Sequence, residues 1–363
     1  MIHKELIIIG GGPSGLCAAK TALEAGIDVL LIERSPQLGG QLIKQTHKFF
    51  GSKDQYAKMR GFDIAKKLIS DIIDFPNLTL ELNTTVVGIY PDYVITTLKE
   101  DVYQRYQAKS IIVATGASEK FLAFENNDLP GIYGAGAIQT LMNLYGVLPG
   151  QEVVMVGSGN IGLIVSYQLL QAGVKVKAII EAGKTIGGYK VHASKIRRLG
   201  IPIYTQTTVK KAIGKDFIEE VELIKLDDNW NEITGTSEFM KLDALCISVG
   251  LSPMHQLLSM VGAKMKYINE LGGFVPVIDH HHQTTLKDIY SCGDAVGIEE
   301  ASSAMMEGYL TGLYIGANLN KRHPQEMELI NLYEKQLDLL RDGPFGIKTK
   351  IGLKKLREGE NHA

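Results

Sequence analysis

Residues 153–170 read VVMVGSGNIGLIVSYQLL, an apolar strand, a glycine-rich turn and an apolar helix in that order. The chain already opens with the same arrangement at residues 6–19, LIIIGGGPSGLCAA. One Gly-x-Gly-x-x-Gly can be no more than a turn that needs glycines. Two copies, each set in a β-α-β unit with an acid closing its second strand, carry much more weight. Strand DVLLIER brings Glu33 and Arg34, with Glu33 falling 23 positions after Gly10, and KVKAIIEA brings Glu181, 24 positions after Gly157. Even the helix ends correspond: EAG and QAG place Gly26 and Gly173 as caps.

The residue types follow from the chemistry of a diphosphate. In Gly10-x-Gly12-Pro13-Ser14-Gly15 the first glycine allows the tight turn, the second lets a pyrophosphate approach the backbone, and the third lets helix and strand pack closely. The helix N-terminus then offers free N–H groups and a positive dipole end. Glu33 can accept hydrogen bonds from ribose hydroxyls. Gly157-Ser158-Gly159-Asn160-Ile161-Gly162 and Glu181 repeat every part of that argument.

The bulk properties set the background. A chain of 363 residues predicts about two domains. A composition of 45% hydrophobic and 21% charged residues, with net charge −2, is that of an ordinary globular protein. No basic excess suggests nucleic acid or an anionic membrane surface. The apolar runs are strand-sized, well short of the ~20 residues of a membrane span. A strand begins within about five residues of Met1, which leaves no room for a signal peptide, so a cytoplasmic location is the default expectation.

Between the repeats the pattern predicts an amphipathic helix near 59–73, short strands near 78–98 and the strand SIIVATGAS at 110–118. Strands follow around 201–249, ending in DALCISVGLSP, then TTLKDIYSCGDAVG and a helical stretch at 299–319. The expected class is α/β with two Rossmann-like, three-layer dinucleotide domains, the second inserted into the first. The expected boundaries are 1–118 with 248–325, 119–247, and a charged helical appendage at 326–363.

These motifs together resemble the two-dinucleotide-binding flavoprotein disulfide-reductase superfamily, with the layout of thioredoxin reductase. GGQL at 39–42 resembles the turn beside the flavin, IIVATGA at 111–117 the closing strand of the flavin domain, and ISVGLSP at 247–253 the strand returning from the nicotinamide domain. TTLKDIYSCGDAVG at 284–297 resembles the second flavin motif. The resemblance implies FAD on the first repeat and NAD(H) on the second. It also implies that Asp294 binds ribityl or pyrophosphate oxygens, and that the helix starting near Glu300 to Ser303 points at the flavin pyrimidine, where its dipole stabilises charge on the reduced ring. Further cofactor contacts implied for this chain are Gly40, Gln41, Leu42, His47, Val87, Ala114, Thr115, Gly116, Gly250, Gly293, Ala301 and Ser302. For His47, and for Lys44 beside it, a merely polar surface loop is the competing reading.

The redox cysteine pair of that superfamily is missing. Its two customary places read GIYGAGAIQTLMNLYG and LGGQLIKQTHKFFG, without a cysteine. Cys17, Cys246 and Cys292 sit in apolar contexts and read as buried structural residues. GASEKFLAFENNDLPGIYGAGAIQTLMN and GIEEASSAMMEG are similar instead to the larger flavin-binding subunits of heteromeric amine and imino-acid dehydrogenases. That group includes sarcosine oxidase alpha, hydrogen cyanide synthase B, opine oxidase A and dye-linked proline dehydrogenase alpha. The resemblance implies an FAD/NAD(P) oxidoreductase that is not a disulfide reductase. It also implies a homo- or hetero-oligomer whose partner is a small redox substrate or a second flavoprotein subunit. A non-catalytic nucleotide-holding scaffold and a reductase of a small electron-transfer protein are the alternatives. Glu181 favours NAD over NADP, because a 2′-phosphate would meet a like charge. The run His280-His281-His282 lacks partners at ligand spacing and reads as a solvated turn, so no metal is expected.

Overall fold

The computed structural model describes residues 1–49, 52–343 and 346–357. The chain divides into two compact units: Met1–Ser118 with the chain from Ser252 onward, and Glu119–Leu251 inserted between them.

The first unit begins with β1 (Ile2–Ile9), α1 (Pro13–Glu24), β2 (Val29–Ile32), α2 (Gly61–Ser70) and β3 (Leu78–Glu81). It continues through β4 (Thr85–Ile89), β5 (Val94–Lys99) and β6 (Val102–Val113). The sheet order is β3-β2-β1-β6-β5-β4, parallel from β3 to β6 and antiparallel through β5 and β4. Leu6–Ile9 and Val29–Ile32 are buried throughout, as expected of central parallel strands, which read as unbroken apolar runs. Strand β6 starts well before the predicted SIIV. Its outer half, Val102–Gln107, pairs with β5 and carries polar residues, and only Ser110–Val113 is buried without a break. The apolar run therefore marked just the inner end of the strand.

The second unit follows β7 (Ala117–Glu119) with β8 (Ile132–Gly134), α3 (Ala135–Tyr145), β9 (Glu152–Val156), α4 (Asn160–Gln171) and β10 (Lys175–Ile180). Then come α5 (Lys190–Arg198), β11 (Ile203–Tyr204), β12 (Thr207–Ile213), β13 (Glu220–Lys225), β14 (Glu238–Lys241) and β15 (Ala244–Ile247). Its parallel sheet has the order β11-β10-β9-β15-β8, and β12 to β14 form a separate antiparallel sheet. Gly26 and Gly173 adopt φ of +77° and +86° just past the ends of α1 and α4, so the two helices stop by the same device.

The chain re-enters the first unit through β16 (Leu251–Pro253), α6 (Gln256–Met260), β17 (Met265–Ile268), β18 (Gly273–Pro276) and β19 (Ile289–Ser291). β19 joins the large sheet beside β6 and leads to α7 (Ala301–Asn318). α7 crosses α1 at close range because Gly308 and Gly312 have no side chains. A Cβ on Gly308 would lie 2.2 Å from the Ser14 carbonyl oxygen, and one on Gly312 would lie 2.1 Å from Thr21 Oγ1. Thr21 Oγ1 also donates to the Tyr309 carbonyl at 3.0 Å. This crossing sets the start of α7 beside the first glycine turn. α8 (Glu326–Arg341) and α9 (Gly346–Arg357), predicted as an appendage, pack into the same unit and bury Leu337, Arg341 and Leu356.

Candidate dinucleotide sites

In the first unit the Gly10–Gly15 turn joins β1 to α1. Gly10 has φ +110°, and a Cβ there would lie 2.3 Å from the Ala114 carbonyl oxygen, so β1 and β6 end in contact. On Gly15 a Cβ would meet the Gly10 oxygen at 1.9 Å, which fixes how tightly α1 sits on its strand. Gly12 caps α1 with Pro13 behind it, and no side-chain cap is made. A Cβ on Gly12 would find only the Gly40 Cα, 3.9 Å away. The turn is thus packed from behind and open in front, which is the shape a diphosphate requires.

Glu33 is buried and braces this turn. Oε2 accepts from Gly11 N–H and Oε1 from Ser35 N–H, both at 2.8 Å. A carboxylate has about four acceptor positions, so capacity remains for two ribose hydroxyls. Arg34 beside it is exposed. Gly39 N–H reaches the Gly11 carbonyl at 2.8 Å, and Gly40, at the start of a short 3₁₀ helix, lies against Gly12. Gln41 is exposed, whereas Leu42 is fully buried, so any cofactor contact it makes comes from its backbone. Ala114, Thr115 and Gly116 follow β6 directly. The Thr115 hydroxyl donates to the Met254 carbonyl at 2.7 Å, and the Gly116 carbonyl accepts from Met254 N–H at 2.9 Å.

Gly293 reaches the same place from the other end of the unit: a Cβ on it would lie 2.5 Å from Ser14 Oγ. The Asp294 carboxyl accepts from Glu299 N–H at 3.3 Å. Burial, with Glu299 and Glu307 near, pushes it up to about 7. A carboxyl in that state suits neutral hydroxyl partners. Glu300 caps α7, Ala301 is its first residue and Ser302 is buried. Val87 lies at the β4–β5 bulge, where the register skips it, and its side chain is exposed. His47 stacks on Phe49 at 5.7 Å and 14°, which leaves both readings of that loop in place.

The second unit repeats the geometry. Gly157 has φ +102°, and a Cβ there would lie 2.1 Å from the Ser248 carbonyl oxygen; one on Gly162 would lie 2.2 Å from the Gly157 oxygen. Gly159 caps α4 without a side-chain cap, and a Cβ on it would meet nothing within 4 Å. Asn160 and Ile161 open α4, with Ile161 exposed. Glu181 Oε2 accepts from Ser158 N–H at 3.0 Å and Oγ at 2.5 Å, and Oε1 accepts from Gly183 N–H at 2.8 Å. Gly250, at φ +123°, lies past β15 with its carbonyl accepting from Lys120 N–H.

Sequence reasoning missed several parts of these sites. Gly11 completes the first cradle and Ser248 the second, and Glu307 Oε2 accepts from Gly293 N–H at 2.8 Å. A further echo was readable. IGGY at 186–189 follows Glu181 much as LGGQ at 38–41 follows Glu33. Its backbone returns to the second turn: Gly188 N–H bonds to the Ser158 carbonyl and Tyr189 N–H to Asn160 Oδ1, both at 2.8 Å.

The three cysteines are free and buried, and burial raises all three thiols, that of Cys292 to about 12. The histidine run needs a correction. His282 is buried rather than solvated, with Nδ1 2.7 Å from Thr311 Oγ1. Burial, with Arg341 and Arg357 adding positive charge, lowers its pKa to about 3. A histidine held below its unfolded pKa of about 6.5 leaves the unfolded chain binding the extra proton, so stability falls as pH drops through 6.5. The expected loss is about 2 kcal/mol between pH 6.5 and 5. His282→Asn, which keeps a donor for Thr311, should flatten that slope in urea titrations, and an unchanged slope would exclude His282 as its source.

Two open glycine turns, each braced by a buried or half-buried glutamate at the end of the following strand, give the chain two cradles of the dinucleotide-binding form. The chain belongs to the pyridine nucleotide-disulphide oxidoreductase family, whose model matches residues 4–308. It is 26% identical over 330 residues to sarcosine oxidase subunit alpha of Corynebacterium sp. (strain P-1), covering 84% of this chain and 33% of that protein. It is 26% identical over 328 residues to hydrogen cyanide synthase subunit HcnB of Pseudomonas protegens, covering 85% of this chain and 69% of that one. The chain thus spans about a third of the length of the sarcosine oxidase alpha subunits it matches. Among solved structures, L-proline dehydrogenase from P. horikoshii is similar with a TM-score of 0.69 and 26% identity, over 93% of this chain and 59% of that one. Thioredoxin reductase from T. acidophilum shares the fold, with a TM-score of 0.71 and 21% identity over 88% of this chain and 99% of that one. Among the described residues no helix is long and apolar enough to cross a membrane.

Proposed function

We propose that this chain is an FAD-dependent oxidoreductase that exchanges electrons between NAD(H) and an acceptor, without a redox disulfide, as a subunit of an amine- or imino-acid-dehydrogenase type of complex. The observation that carries the reading is the pair of equivalent cradles in one chain. One resident and one exchanging dinucleotide account for both. Relatives named as subunits of sarcosine oxidase, opine oxidase and hydrogen cyanide synthase support the assignment to a multi-subunit enzyme.

FAD, when bound, supplies acceptance of a hydride equivalent from a nicotinamide. This chain's residues bind and orient. The α1 N-terminus and Gly12 would take the flavin diphosphate, Glu33 its ribose and Asp294 its ribityl hydroxyls. Gly159 and Glu181 would do the same for the nicotinamide dinucleotide. Hydride exchange between two stacked rings requires no side-chain acid or base. No catalytic side chain is therefore assigned.

An anaerobic titration tests this. NADH added to the purified yellow protein should bleach the flavin absorption, and so should NADH added to a Cys17, Cys246 and Cys292 triple alanine variant. The thiols are buried and held protonated, the opposite of the exposed, low-pKa thiolate that exchange chemistry needs. Bleaching in the native protein alone, with the variant folded and yellow, would restore a redox thiol. An unbleached native protein would point to a nucleotide-holding scaffold.

A further inference from the structure

The flavin motif at Gly293–Glu300 is held from behind by charges that it does not itself contain. Glu307, two turns into α7 and buried, accepts from Gly293 N–H through Oε2 at 2.8 Å and pairs with Arg341 through Oε1. Arg341 lies in the last turn of α8 and is buried. Its Nε lies 3.2 and 3.1 Å from the two carboxylate oxygens of Glu299, and Nη2 lies 2.5 Å from Oε1. Glu299 in turn donates its backbone N–H to Asp294. One guanidinium therefore ties both ends of the loop: Gly293 through Glu307, and Glu299 directly, whose backbone N–H in turn holds Asp294. Such a bidentate fork is geometry that arginine supplies and lysine does not.

The second tail helix reaches the same loop by packing. A Cβ on Gly352 would lie 2.7 Å from Leu271 Cγ, and Leu271 is itself within 3.0 Å of where a Cβ on Gly297 would be. Ile298 N–H bonds to the Leu271 carbonyl at 3.0 Å. Both helices after residue 325 thus bear on residues 293–300. The charge balance points the same way. Glu307, buried, and Glu299, half-buried, bring two negative charges, and Arg341 brings one positive charge. Asp294 beside them is pushed up to about 7 by burial and by those two carboxylates. Removing the cation leaves two carboxylates facing each other behind the loop.

We propose that Arg341 is a positioning residue for the flavin, and that the helices after residue 325 form a working part of the flavin site. The proposal rests on the FAD reading above. It states that Arg341 acts through Glu299 and Glu307 on the backbone of Gly293 and the carboxyl of Asp294, without touching the cofactor.

The test uses the full-length protein as purified. Arg341→Met should weaken FAD binding at least tenfold, read from flavin-to-protein ratio after gel filtration and from fluorescence titration of the apoprotein. Arg341→Lys should recover part of that loss, since it restores charge but not the fork. At saturating FAD, the bound flavin of Arg341→Met should have a lower midpoint potential than native, because reduction then adds charge to a more negative surround; Arg341→Lys should lie between. Arg322→Met, which removes the exposed partner of the buried Glu326 at the start of α8, should leave both quantities native. If Arg341→Met does not fold, Arg341→Met with Glu299→Gln removes one of the two uncompensated carboxylates and with it their repulsion, and should still show weakened FAD. Native-like affinity and potential in either folded Arg341 variant overturns the proposal, as does an equal loss in Arg322→Met. A native protein that binds no FAD overturns both this proposal and the reading beneath it, whereas the other outcomes leave that reading intact.

Discussion

Gly162→Val is expected to stay yellow and stop responding to NADH. A Cβ at Gly162 would lie 2.2 Å from the Gly157 carbonyl oxygen and 3.4 Å from Ser248 Cβ. The first of these is backbone at a turn with φ +102°, so it cannot yield without moving α4 off β9. Overpacking of this kind costs about 1–3 kcal/mol. That is enough to disorder a turn, yet below the 5–15 kcal/mol that typically holds a domain together. Loss of the turn should lower NADH affinity about a hundredfold or more, roughly 2.8 kcal/mol. The mirror variant is Gly15→Val, whose Cβ would lie 1.9 Å from the Gly10 oxygen; it should be recovered colourless. The two variants separate the cradles. If Gly162→Val bleached with NADH as readily as native protein, the nicotinamide would have to bind elsewhere. If it lost flavin instead, the assignment of the two occupants would be reversed.

The parts of these sites that could be read from sequence are those made of consecutive residues with backbone jobs. Gly10 and Gly15 and their counterparts Gly157 and Gly162 must be glycine because carbonyl oxygens lie where a Cβ would be, while Gly12 and Gly159 keep the front of each turn open, and that need is written directly into the spacing. The acids were readable because a strand of fixed length brings its end back to the turn. Residues brought in from far along the chain were not. Arg341 reads as an ordinary cation in the last turn of a charged helix, and only the fold shows that the carboxylates of Glu299 and Glu307 wait for it. Glu307 lies within an apolar stretch, where a carboxylate without an obvious partner was the available clue. His282 misled for the opposite reason. The lack of partners at ligand spacing suggested a solvated turn, while a left-handed residue, φ +63°, turns the third ring inward to Thr311. The outer half of β6 was missed because an arm alternating between solvent and core does not look like the apolar strand it extends.

The choice between the two nicotinamide dinucleotides should be decided by Glu181. Its carboxylate is fixed by three donors, Ser158 N–H, Ser158 Oγ and Gly183 N–H, so it cannot swing away from an incoming ribose without losing them. Glu33 is fixed by the same kind of contacts in the first unit. With three of its about four acceptor positions taken, the Glu181 carboxylate can still accept from one ribose hydroxyl, whereas a 2′-phosphate would place like charges together. Lys184, the nearest cation along the chain, pairs with Asp228 at 2.9 Å. That pair is exposed and weak, but its geometry directs the ammonium toward the loop before β14. The expected preference for NADH over NADPH is at least about tenfold, or ~1.4 kcal/mol. Two variants distinguish charge from shape. Glu181→Gln keeps the shape and one acceptor oxygen and removes the repulsion, so the preference should shrink without reversing. Glu181→Arg supplies a phosphate partner and should reverse it, with some loss of total affinity as the Ser158 and Gly183 contacts go. Binding of each nucleotide is measured directly by calorimetry, so the result does not depend on turnover. Equal affinity of the native protein for both would remove Glu181 from this role, and a preference untouched in Glu181→Gln would assign it to shape alone.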